Sequence, residues 1–160
     1  MALGFLKPHD LPVNLRRLKN LSLFSTLTTR ELKIVDGLLH VREFLAGEVI
    51  FDEGEEGQAL YIITEGVVSV CREHDEVKET VAELTVGNFF GDLALLDNTP
   101  RTAQVRAKEA CKLAVFFRAD FISLMETDAT IGYKISLQLA RTLAERLRIL
   151  MSGSPRLEAI

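Results

Sequence analysis

The 160-residue sequence predicts a mainly β domain, an antiparallel sandwich or barrel with helices at both ends. Three observations carry this. Between about His40 and Phe117, short runs rich in β-branched and aromatic residues recur: Val49-Ile50-Phe51, Leu60-Tyr61-Ile62-Ile63, Val67-Val68-Ser69-Val70 and Leu113-Ala114-Val115-Phe116-Phe117. Six of the ten glycines lie in that stretch, at Gly47, Gly54, Gly57, Gly66, Gly87 and Gly91, and with acidic clusters they divide the runs as hairpin corners do. On either side, apolar residues recur at helical spacing instead.

In chain order, Leu15, Leu18, Leu21 and Leu23 lead to Phe24 and Leu27. Thr28-Thr29-Arg30-Glu31 then has the form of a capping box, in which the Thr28 hydroxyl takes a free amide and Glu31 reaches back. With Leu32, Val35, Leu38 and Leu39 following, the pattern predicts a short helix, a turn and a helix from about Thr29 to Leu39. Within the β region, Glu73-His74-Asp75-Glu76 reads as an exposed hairpin tip. Asp120 to Met125 suggests a short helix. Ala129 to Met151 contains no proline and carries an apolar stripe, Ile131, Ile135, Leu139, Leu143, Leu147 and Leu150. That stripe suits packing on the barrel, on a partner's copy, or on both. Ser152-Gly153-Ser154-Pro155 ends the helix. The organisation expected is helices over 1–39, strands over 40–117, helices over 118–151 and a tail over 152–160.

Composition bounds the function. Apolar residues are 48% and charged residues 26%, as in an ordinary globular domain, which excludes disorder as the main state. No apolar run approaches the roughly 18 to 20 residues of a membrane helix, so no membrane partner is expected. Met1 to Asp10 lacks a secretory pattern, and a cytoplasmic location is expected. Cys71 and Cys111 sit in alternating apolar segments and read as buried small hydrophobes. The net charge is −4, but residues 34–127 carry −10, a poor surface for a nucleic-acid backbone. An anion bound there needs a local device.

Such a device is written at 87–103, Gly87-Asn88-Phe89-Phe90-Gly91-Asp92-Leu93-Ala94-Leu95-Leu96-Asp97-Asn98-Thr99-Pro100-Arg101-Thr102-Ala103. A strand-like Phe-Phe pair runs into Gly91, a short apolar helical turn follows, and a polar loop delivers Arg101. Glycine entering a helical turn lets backbone amides converge on an anion. Arginine adds a planar pair of donors suited to phosphate oxygens. A carboxylate repels phosphate but accepts from a sugar hydroxyl. Asp92 and Arg101 together therefore point to a ligand with a phosphate and a ribose. The same residues also read as a surface turn closed by an Asp92–Arg101 ion pair, and the pattern alone leaves both open.

This stretch closely resembles the phosphate-binding cassette of cyclic nucleotide-binding domains, found in catabolite-activator-type regulators, cyclic-nucleotide-dependent kinases and gated channels. Gly47-Glu48-Val49-Ile50, Gly54, Gly57, Leu60-Tyr61-Ile62-Ile63 and Gly66-Val67-Val68 extend the resemblance, which covers about Leu21 to Leu150. It implies an antiparallel β-roll, a double-stranded jelly-roll-like barrel, with N-terminal helices and a long C-terminal helix. It also implies a ligand-binding set. Arg101 grips the cyclic phosphate of cAMP or cGMP together with amides near Leu93 and Ala94, beside Gly91. Asp92 takes the ribose 2′-hydroxyl, and Thr102 stands where in some members a threonine favours guanine. The family usually has Glu at the position of Asp92, whose carboxylate reaches roughly 1.5 Å less far. A buried hydroxyl left unpaired there costs about 1–3 kcal/mol, roughly ten- to a hundredfold in affinity.

The mechanism so implied draws the cassette inward on the phosphate. Leu95 and Leu96 move against the Phe121 region, and the last helix covers the base. Too few residues follow Met151 for a three-helix DNA reader, so a stand-alone form without direct DNA binding is expected. Output passes through the helices, a homodimer formed by the C-terminal helix, or an unidentified protein partner. A degenerate roll serving only dimerisation or docking is the alternative. No nucleophile elbow or paired helical histidines support catalysis, and no cofactor or metal is expected. Cys71 and His74, three residues apart, do not make a closed metal site. Asp52-Glu53-Gly54-Glu55-Glu56 reads as a solvated turn, and Arg141, Arg146 and Arg148 as a solvated helix face or tail, with a partner or nucleic-acid contact as the lesser alternative.

Overall fold

The computed structural model describes residues 11–74 and 77–153. Eight strands form two antiparallel four-stranded sheets. One sheet has the order β1 (His40–Phe44), β8 (Cys111–Phe117), β3 (Ala59–Glu65), β6 (Phe89–Phe90). The other has the order β2 (Val49–Phe51), β7 (Gln104–Ala107), β4 (Val68–His74), β5 (Val77–Leu84). This is the β-roll that the resemblance implies, with helices at both ends. The tip Asp75-Glu76, the first ten residues and the tail from Ser154 lie outside the described residues.

The sheet containing β3 and β8 is covered on both faces, which explains their unbroken apolar runs. Side chains alternate along a strand. Leu60 and Ile62 of β3, with Ala114 and Phe116 of β8, therefore enter the core under the helices. Ile63 and Leu113 instead enter the core between the sheets, where they meet Phe51, Val70, Phe90 and Val105.

The first core is closed by α1 (Val13–Asn20), the 3-10 turn Ser22–Phe24, α2 (Thr29–Asp36), α3 (Arg118–Thr127) and α4 (Ala129–Met151). The capping box forms: the Glu31 amide donates to Thr28 Oγ1 at 3.3 Å and the Thr28 amide donates to Glu31 Oε2 at 2.8 Å. α2 stops at Asp36, three residues before the expected Leu39. The chain there tightens into 3-10 bonds, Leu38 to Val35 and Leu39 to Asp36, so that it can turn directly into β1.

α4 has the expected bounds but divides its stripe. Ile131, Ile135 and Leu139 are fully buried, whereas Leu147 and Leu150 are more than half exposed. Cys111 is buried, but Cys71 is only half-buried, with its sulfur 3.7 Å from Thr80 Oγ1 on β5. The alternation that suggested burial for Cys71 survives, but it lies on β4 of a sheet with one face towards solvent. Among the described residues, no helix is long and apolar enough to cross a membrane.

Candidate functional site

The site is assembled where β6 ends. Phe89 and Phe90 pair with Ile62 and Tyr61 of β3. Gly91 then takes φ 74°, a left-handed conformation, and the chain enters the 3-10 turn Asp92–Leu95. Space is a second reason for glycine: a Cβ at position 91 would lie 2.6 Å from Arg101 Nη1. Gly57 is needed for the same purpose, since a Cβ there would lie 2.9 Å from the Ala94 Cβ and 3.3 Å from Arg101 Cζ. Two of the glycines that punctuate the sequence thus make room for one arginine.

The backbone of Arg101 is clamped before its side chain turns inward. Its amide donates to Glu55 O at 2.7 Å, and its carbonyl accepts from the Gly54 amide at 2.9 Å. The side chain is 9% exposed. Nη2 donates to Ala59 O at 2.8 Å and Nη1 to Gly91 O at 3.3 Å, while Nε is buried with no partner. Cζ stands 4.1 Å from the centroid of the Phe51 ring. Burial pulls the pKa of Arg101 downward, but an arginine keeps its proton. The desolvated cation is thus held by carbonyls and by the rings of Phe51 and Tyr61, with the Glu55 charge also acting on it, and Nε remains a spare donor.

Asp92 is also buried, at 2% exposure, but the Asp92–Arg101 ion pair is not formed. Asp92 pairs instead with Arg146 of α4, whose Nη1 lies 3.0 Å from Oδ2 and 3.2 Å from Oδ1. Arg146 therefore does not belong to a solvated face. A signal for it exists in the sequence: counting from Ile135 and Leu139, position 146 continues the inward row, and a charge on a buried face needs a partner. Leu93 is exposed, and the Ala94 amide donates to Gly91 O at 3.2 Å. Thr102 is exposed at the rim. Leu95 is buried in the same core as Phe121, but Leu96 is 49% exposed and does not share that packing. The turn presents one face to the core, and residues 95 and 96 fall on different sides of it.

The space between these groups is a cleft that opens to solvent. Phe51, Val70, Leu84, Phe90 and Val105 form an apolar wall, and Asp92, Thr99, Arg101, Thr102 and Arg146 supply the polar groups. Among the lining side chains two guanidinium groups and one carboxylate leave one net positive charge, although residues 34–127, which supply all of the lining but Arg146, carry −10. Among the described residues, no cluster of three His, Cys, Asp or Glu side chains has metal-binding geometry.

The two-sheet roll thus holds a buried arginine at the foot of a half-apolar cleft. Residues 41–128 match the model of the family described as cyclic nucleotide-binding domain. The protein belongs to the cyclic nucleotide-binding domain family. It is 33% identical over 129 residues to the cyclic AMP receptor protein of Thermus thermophilus, covering 80% of this chain and 60% of that one. The crystal structure of the Thermus thermophilus catabolite activator protein is similar with a TM-score of 0.71 and 32% identity, over 83% of this chain and 63% of that one. The regulatory domain of Toxoplasma gondii PKA, co-crystallised with cAMP, has a TM-score of 0.65 and 31% identity, over 69% of this chain and 42% of that one. The chain thus spans less than two thirds of the length of each of these relatives.

Proposed function

We propose that the protein is a sensor of a cyclic purine mononucleotide, cAMP or cGMP, and that it reports occupancy through α4. The observation that carries this is the buried Arg101 guanidinium, stacked on Phe51 with an unpartnered Nε. A cyclic phosphodiester bears one negative charge, which balances the single net positive charge of the cleft. Arg101 and the amides at Leu93 and Ala94 receive the phosphate beside Gly91, the Ala94 amide turning to it from Gly91 O, while Asp92 accepts from the ribose hydroxyl and Thr102 meets the base. The apolar wall takes the rest of the base and sugar. The Toxoplasma relative, crystallised with cAMP, supports the ligand class.

Arg146 connects this chemistry to movement. Its Nη1 lies between both oxygens of the carboxylate that the ribose uses, so a hydroxyl that draws either oxygen to itself weakens the bond to α4. Binding shifts α4 to the extent that the ligand prefers the helix position in which Asp92 is released. The outward face of α4 adds an output. Tyr133, Leu137, Ala140, Ala144, Leu147 and Met151 follow steps of four and three, the seam of a two-helix coiled coil, and favour a homodimer through this helix.

Calorimetric titration with both nucleotides tests the reading. The parent protein binds one or both, and Arg101→Ala binds neither. Absence of binding by the parent would sink it. That result would favour the second reading, a roll kept for dimerisation or docking, for which the existing Asp92–Arg146 pair is the supporting observation.

A further inference from the structure

Arg118 is the first residue of α3, directly after β8. Its amide donates to Gln58 O at 2.8 Å. Its side chain is 16% exposed and runs back over the cassette. Nη1 lies 3.0 Å from Gly57 O and 3.2 Å from Ala94 O, and it also donates to Asp97 O. Nη2 is 3.9 Å from the Glu56 carboxylate. One guanidinium therefore gathers the β2–β3 loop and the far end of the 3-10 turn. Carbonyls at the end of such a turn lack partners within it, and a cation placed there is favourable.

The residues it gathers are the ones that enclose Arg101. Gly57 and Ala94 approach so closely that a Cβ on Gly57 would be 2.9 Å from Ala94, and the same Cβ would be 3.3 Å from Arg101 Cζ. Arg118 itself does not line the cleft. We infer that Arg118 is a positioning residue: it holds the two walls of the Arg101 site at a fixed spacing and ties both to the start of α3. A cassette that moves on binding an anion pulls on α3 through three carbonyls, in addition to the apolar contact of Leu95 with Phe121. This role rests on the nucleotide reading for its ligand, but the geometry it maintains exists without one.

The test combines nitrogen-15 NMR of the Arg101 Nε–H with calorimetry on the full chain, using cAMP and cGMP as titrants. In Arg118→Met, checked for folding by circular dichroism, the Arg101 Nε–H and the Gly57 and Ala94 amide resonances move before any nucleotide is added. Affinity falls about tenfold or more. A folded Arg118→Met variant in which either the resonances or the affinity are unchanged overturns the inference. If Arg118→Met does not fold, Arg118→Lys decides in its place. Lysine keeps the charge, but its chain ends one bond short of the Nη1 position at which the three carbonyls meet. Shifted resonances with weakened binding uphold the role, and unshifted resonances or undiminished binding refute it. A parent that binds neither nucleotide removes the nucleotide reading alone, because the Nε–H shift needs no ligand and still judges Arg118.

Discussion

Arg101 and Gly91 depend on each other. The left-handed φ of 74° at Gly91 costs any side-chain-bearing residue about 1–2 kcal/mol. The space that its missing Cβ leaves is filled by Nη1 of Arg101. Gly91→Ala therefore carries two penalties, a stability loss of about 1–3 kcal/mol and a displaced guanidinium. Gly47→Ala separates them. Gly47 has φ 86° with nothing within 4 Å of its virtual Cβ, so alanine there meets the backbone penalty without the crowding. Thermal melts are expected to fall for both variants, and nucleotide affinity only for Gly91→Ala, by about tenfold or more. Equal affinities in the two variants would separate Gly91 from the site. Arg101 was legible in the sequence because loop chemistry and glycine spacing are local. Its partners were not. Asp92, the carboxylate of the same cassette that could have met it, is paired with a residue 54 positions away.

At the scale of the element, the N-terminal cap of α2 does more than start a helix. Glu31 accepts from the Thr28 amide and from Lys134 Nζ of α4, at 2.7 Å to Oε2 and 3.0 Å to Oε1. Burial opposes its charge, yet Lys134 and the Thr28 donors outweigh burial and hold the carboxyl below its ordinary value of 4.5. In the unfolded chain the carboxyl recovers that value and takes up a proton first as pH falls. The stabilisation from this cluster is therefore complete above the unfolded pKa and disappears as pH falls through the lowered folded pKa. The stability gap between the parent and Glu31→Gln should be larger at about pH 7 than at about pH 3. Urea unfolding at the two pH values measures it, and a gap that widens in acid would contradict the assignment. The capping box itself was readable from four consecutive residues. The arrival of Lys134 was not, nor was the early stop of α2, which depends on where β1 must begin.

The molecule as a whole is organised around α4. Its first half is bound to the body by Ile131, Ile135 and Leu139 and by Lys134, and its second half reaches the cleft through Arg146. Beyond Leu139 the core contacts end, and the outward row culminates in Leu147, 57% exposed, and Met151, 79% exposed. If this row is a dimer seam, Leu147→Glu places a charge in it and lowers the mass seen by light scattering towards that of a monomer, while nucleotide binding in the cleft persists. A parent that is monomeric at all concentrations would remove the seam.

Strand runs, glycine corners, the capping box and the helical periods are properties of neighbouring residues. The sequence by itself therefore determined the fold class, the bounds of α4 and the cassette that holds Arg101. Which face of α4 enters the core, which cation reaches Asp92, and which carbonyls Arg118 collects depend on how distant segments pack. Only the tertiary structure decided those, because a side chain's partner is set by the relative position of whole elements, and spacing along one element does not contain it.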